Sequence, residues 1–162
     1  MSFRLPWKKR PVESVERKVA DITALKTQLS RKNSDYQSRA LAAEHLGHSN
    51  NPAAIIPLNT SITMDISPAV KISAAKSLAL FRNEAAAVSL GKALIRELKR
   101  KKVDPNVVIQ IALACGRIGH EKSIGFLETA LQYGKDMHLL EMQGPDLGIG
   151  DAIKMGLEKA KK

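Results

Sequence analysis

Apolar residues in this chain recur at helical spacing. Val12, Val15, Val19, Ile22, Leu25 and Leu29 step by 3, 4, 3, 3 and 4, which places them on one helix face. Glu13, Glu16, Arg17, Lys18, Asp21 and Lys26 fall on the other face. Pro11 suits a first turn, so the pattern predicts a helix over 12–31 with one apolar and one polar side. Further on, a shorter pattern is written several times. One copy runs from Asp35 to Gly47, the next from Ser67 to Ala79, and a third begins at Asp104 and ends at Gly116. In register, Ala43 falls on Ala75 and Ala112, Leu46 on Leu78 and Cys115, and Gly47 on Ala79 and Gly116. The starts are offset by 32 and then 37 residues, the period of stacked supersecondary units.

Each copy predicts a helical hairpin. Asp35, Ser67 and Asp104 stand where a side-chain oxygen can cap a first helix, and Pro68 and Pro105 follow two of them. Polar turns come next, at His48-Ser49-Asn50-Asn51, Arg82-Asn83 and Gly119-His120. Second helices are expected over about 52–64, 84–102 and 121–135. A partial fourth copy starts at Gly144-Pro145 and places Ala152 on Ala75, Met155 on Leu78 and Gly156 on Ala79. The expected organisation is a basic flexible arm over 1–11 and one repeat domain over 12–162. Within the domain come a capping helix at 12–31, repeats at about 35–64, 67–102 and 104–136, and a closing helix at about 144–160. The fold class is therefore all-α, an α-solenoid of helical hairpins with capping helices at both ends.

Composition agrees with close helix packing, since aromatics are only 4% and small aliphatic residues carry the core. The net charge of +10 adds a second theme. Residues 92–102 hold six basic residues and one acidic, and residues 1–34 hold nine basic and three acidic. Blocks like these suit an acidic partner: an RNA surface, an acidic protein or an anionic membrane surface. The single cysteine, Cys115, lies in line with two leucines; it is expected to be inert packing in a chain suited to a reducing cytoplasm. No apolar run follows the charged N-terminus, which argues against a signal peptide. No stretch approaches a transmembrane span.

The residues Ala42-Ala43-Glu44-His45-Leu46-Gly47 resemble the first-helix ending of HEAT repeats, in the short subtype named after phycobilisome lyases. Ala74 to Ala79 and Ile111 to Gly116 vary the same ending, and Pro52-Ala53-Ala54-Ile55-Ile56 resembles the start of its second helix. The basic residue that the family carries early in the first helix is matched by Arg39 and Lys71 but is Val108 in the third copy. The resemblance covers roughly 35–157. It implies a solenoid whose second helices line a concave binding side, and it implies little about function. One enzyme family of similar fold, the deoxyhypusine hydroxylases, builds a di-iron site from repeated His-Glu pairs. Here only His120-Glu121 has that order, at a turn, while Glu44-His45 is reversed and the other copies carry Lys76-Ser77 and Leu113-Ala114. That activity is not expected.

The strongest candidate site is the second helix of the central repeat. Lys92, Arg96 and Lys99 step by 4 and 3 onto one face, and Arg100 follows. Leu90, Leu94 and Leu98 form the opposing stripe. In register, Lys92 falls beside Thr60 and Thr129, and Arg96 beside Met64 and Tyr133. A basic groove with polar or aromatic flanks is expected. Cations near a helix C-terminus also complement its dipole, which accounts for Lys99 to Lys102 but not for Lys92. In the arm, Arg4, Trp7, Lys8, Lys9 and Arg10 could dock on a membrane or nucleic acid, or fold back over the domain end. No nucleophile elbow, phosphate loop or paired Cys motif occurs, and no cofactor or metal is expected. His45, His48, His120 and His138 read as surface or turn residues. Met137, Met142 and Met155 read as core filler. Together these features predict a non-catalytic scaffold or adaptor, not an enzyme, that binds an acidic partner. The alternative is an accessory subunit in cofactor or pigment attachment.

Overall fold

The computed structural model describes residues 22–30 and 35–162, and these are helical with no β-strand among them. Residues 22–29 are helical; the arm and the rest of the expected capping helix lie outside the described residues. Seven named helices follow: α1 (Tyr36–His48), α2 (Ile55–Met64), α3 (Pro68–Leu78), α4 (Glu84–Leu98), α5 (Pro105–Ile118), α6 (Glu121–Asp136) and α7 (Ile149–Ala160). A 3-10 turn at Pro52–Ala54 leads into α2.

The helices form two rows. First helices pack in sequence, α1 on α3, α3 on α5 and α5 on α7, and second helices pack α2 on α4 and α4 on α6. Each second helix also packs on the first helix that follows it. This is an α-solenoid of HEAT-like hairpins. Its seam is the repeated ending: Ala43, Ala75, Ala112, Leu46, Leu78 and Cys115 are all fully buried. Small residues let the rows close. A Cβ on Gly116 would lie 2.6 Å from the Cα of Gly156, and one on Gly47 would lie 2.6 Å from the Cβ of Ser77.

The turns repeat as well. Asn50, Arg82 and Gly119 all have positive φ, at 55°, 46° and 64°, and they occupy one register position 32 and 37 residues apart. The next residue in each case caps the second helix through its side chain: Asn51, Asn83 and His120 accept from the backbone N–H of Ala53, Ala86 and Lys122. One left-handed residue reverses the chain, and one polar side chain restarts the helix. The first helices are less uniform. Asp35 and Asp104 cap α1 and α5 through their side chains, whereas Ser67 makes no side-chain cap to α3.

Two expectations need correction. The central second helix ends at Leu98 with Lys99 as its C-cap, so Arg100, Lys101 and Lys102 lie beyond the helix. Met155 is 39% exposed and Met137 54% exposed, so neither is core filler. In α7 the core is met instead by Ile149, Ala152, Ile153 and Gly156, because the helix enters in a different rotation from its sequence register. Residues 137–148 are not a bare linker either. Leu139, Leu140, Met142 and Leu147 pack on the core, and Gln143 and Gly148 form an isolated β-bridge.

Candidate functional site

The second helices present a groove of about 750 Å³. From α4 it takes Lys92, Ile95 and Arg96, with Lys99 and Arg100 just past the helix end. From α2 it takes Thr63, and from α6 Phe126 and Thr129. The helical period explains the split of α4. Leu90, Leu94 and Leu98 face the core at no more than 1% exposure, while Lys92, Arg96 and Lys99 are exposed on the far side. No carboxylate lines the groove. Among the described residues Lys92, Arg96 and Lys99 take part in no salt bridge.

Contacts position the cations loosely. The Lys99 ammonium sits 5.6 Å from the ring centre of Tyr133, a cation–π distance. An Arg96 Nη2 lies 4.0 Å from the Met64 sulfur, a weak contact across to α2. Arg100 is partly committed: its Nη1 lies 3.0 Å from Oε1 of Glu97, with its own side chain 47% exposed. Of the sequence-derived candidates, Lys92, Arg96, Lys99 and Arg100 therefore share one groove, and Tyr133 adjoins it through Lys99. Arg4, Trp7, Lys8, Lys9 and Arg10 lie outside the described residues.

Phe126, Ile95 and Thr63 were not anticipated as groove residues. Phe126 was legible in principle, since Phe126, Thr129 and Tyr133 step by 3 and 4 and so share one face. Its ring also covers Gly91, where a Cβ would lie 2.1 Å from it.

Beneath the groove lie two ion pairs. Arg39 Nε donates to Asp65 Oδ2 at 2.8 Å and Nη2 donates to Oδ1 at 3.0 Å. Those side chains are 6% and 4% exposed. The hydrogen bonds to Asp65 hold the Arg39 guanidinium even more firmly protonated than usual. Asp65 also accepts from the Ser67 N–H at 2.8 Å. Lys71 Nζ donates to Glu97 Oε1 at 2.7 Å, with side chains 5% and 2% exposed. The acid lies 26 residues after the cation in both cases.

A di-iron site of the kind raised by the resemblance does not fit. Among the described residues no three His, Cys, Asp or Glu side chains are grouped to hold a metal ion. His120 Nδ1 is occupied as an acceptor from the Lys122 N–H. Cys115 is buried, and burial pushes its thiol up to about 12, so it does not present a thiolate. No described helix is long and apolar enough to cross a membrane.

No family model and no curated protein matches the chain. A solved structure of human deoxyhypusine hydroxylase in complex with glycerol does match, with a TM-score of 0.71 and 18% identity. The match covers 93% of this chain and 47% of that one, so the chain spans about half the length of the protein it resembles. At that identity the likeness carries the HEAT-like fold, not the short phycobilisome-lyase type. It also corrects the functional expectation. The step from fold to non-catalytic scaffold or adaptor, and to pigment attachment, is withdrawn, as is the exclusion of an enzyme, because the solved protein with this architecture is an enzyme.

Proposed function

We propose that the concave groove is the chain's ligand-binding site and that it recognises an anion-bearing substrate or partner. The observation that carries this reading is the display of Lys92, Arg96 and Lys99 in one groove without a lining carboxylate. Unpaired like charges on one face repel each other, and an anion relieves that repulsion. Ile95 and Phe126 add apolar contact area between the charges. An acidic protein segment and an RNA surface each present such anions. A groove of this kind serves an enzyme's substrate site as well as a static interface; binding is what its residues specify. The Ala-Ala-x-x-Leu-Gly ending supports the short repeat subtype, and the buried lone thiol suits a reducing cytoplasm.

Titration with inorganic polyphosphate, followed residue by residue in NMR spectra, tests the site. The expected result is that amide shifts cluster on Lys92, Ile95, Arg96, Lys99 and Thr129. Charge reversal of Lys92, Arg96 and Lys99 to Glu should remove them. Shifts that centre instead on the C-terminal Lys159, Lys161 and Lys162, and that survive the reversal, would defeat the reading.

A further inference from the structure

We infer that the anion the groove takes is the backbone of single-stranded RNA; this rests on the anion-binding reading above and narrows it. Three independent features point there.

The first is length. The basic surface does not end with the groove. Arg100 lines it and also lines a second cavity of about 790 Å³, where Lys101 and Lys102 join it. Lys92, Arg96, Lys99, Arg100, Lys101 and Lys102 thus form one track, all exposed. A single phosphate or carboxylate uses one or two of these charges. A polyanion uses the series.

The second is hydrogen-bond sense. The groove threonines have already spent their protons. Thr63 Oγ1 donates to the Asn59 carbonyl at 3.0 Å, and Thr129 Oγ1 donates to the Gly125 carbonyl at 2.8 Å. Thr60, next to Thr63 on α2, donates likewise to Ile56 at 3.1 Å. A hydroxyl that donates once keeps only acceptor capacity. Toward a ligand these residues therefore accept. They do not solvate phosphate oxygens; they suit O–H and N–H donors that lie between phosphates. The ribose 2′-hydroxyl is such a donor, and DNA lacks it.

The third is the pair of rings. Phe126 is half-buried in the groove wall, and Tyr133 lies under the Lys99 ammonium. Aromatic faces beside a cationic track bind unstacked bases, which only a single strand offers. An acidic peptide would satisfy the cations too, but its carboxylates have no use for the ring faces.

Fluorescence anisotropy separates the cases, with labelled oligouridine RNA, oligodeoxyuridine of equal length and an oligoglutamate peptide measured over rising salt. RNA should bind more tightly than DNA and than the peptide. The slope of log affinity against log salt should be about −2, for three phosphate contacts on a single strand. Reversing Lys92, Arg96 and Lys99 to Glu should cost roughly 100-fold or more and flatten that slope. Phe126→Leu should cost roughly 10-fold. Thr63→Val with Thr129→Val should bring RNA and DNA affinities together, since only the 2′-hydroxyl contact is lost. Circular dichroism of each variant confirms that it folds. If oligoglutamate binds as tightly as RNA, or if RNA and DNA bind alike and the Thr variants change nothing, the RNA assignment is overturned while the anion site stands. If none of the three probes binds, both fall.

Discussion

The first two hairpins and the third close their interiors with different chemistry. In the first, a buried Arg39 meets Asp65; in the second, a buried Lys71 meets Glu97. At the same register of the third hairpin stand Val108 and Gly134, both buried and both apolar. The space that an acid would take beside Gly134 is filled by Leu140, whose Cδ2 would lie 2.5 Å from an added Cβ. A buried charge is tolerated only with its partner, because desolvation of a lone ion costs several kcal/mol. Cation and acid are therefore present together or absent together along this chain. The difference teaches that the pair is one way of spanning a hairpin, and a loop leucine over a glycine is another. Neither is the stronger by default, since a buried pair and a well-packed apolar substitute are often of similar stability.

The largest expected effect comes from breaking one pair. Asp65→Ala should destabilise the fold by about 3–5 kcal/mol in urea unfolding, because Arg39 is left buried without a counter-charge. Glu97→Ala should fall at the lower end of that range, about 3 kcal/mol, since the flexible Lys71 stem can carry its charge toward water. Arg39→Met with Asp65→Leu should recover most of the loss. A double variant no better than Asp65→Ala would show that the two hairpin chemistries are not interchangeable.

The converse experiment puts a charge where the third hairpin has none. Val108→Lys should cost about 3 kcal/mol. Adding Gly134→Glu should not restore stability, because Leu140 already occupies the place. Full rescue in the same unfolding assay would mean that Leu140 yields readily and that the apolar solution is incidental.

A smaller contrast separates the first-helix caps. Asp104 accepts from the N–H groups of Asn106 and Val107 at 3.0 and 3.2 Å. Asp104→Ala should lower stability by about 1 kcal/mol. Ser67 makes no such bond, and its own N–H is held by Asp65. Ser67→Ala should stay within about 0.5 kcal/mol. Equal losses at the two sites would contradict the hydrogen bonding described.

The smallest effect at neutral pH concerns Cys115, which takes the place of Leu46 and Leu78. Burial raises its thiol from 9.0 to about 12. The folded chain thus keeps a proton that the unfolded chain loses above 9.0. This group's contribution to stability is fully present below that value and falls as pH rises toward 12. Cys115→Val should remove that part of the alkaline decline. A thiol reagent should label Cys115 in the native protein no faster than global unfolding allows.

Much of the architecture is written locally. Caps, prolines, turn residues and the Ala/Leu/Gly seam each act within a few residues, so the hairpins, their order and the burial of Ala43, Ala75 and Ala112 were legible from spacing. The face carrying Lys92, Arg96 and Lys99 was legible for the same reason: with Leu90, Leu94 and Leu98 inward, the periodicity leaves those cations outside. The groove's far wall was only partly so, because Phe126 and Thr63 reach it from other repeats.

What the chain alone could not decide was the fate of each charge. Lys71 and Lys92 are the same residue type on neighbouring helices. One is sealed against Glu97, the other stands in an open groove. That outcome depends on which neighbour's helix covers which face, and on an acid 26 residues away arriving at hydrogen-bonding distance. Local propensity acts over a turn or two; burial and ion pairing are settled by packing between elements distant in sequence. The sequence determined the repeat and its seam, and the tertiary structure decided which cations hold the fold and which remain for a ligand.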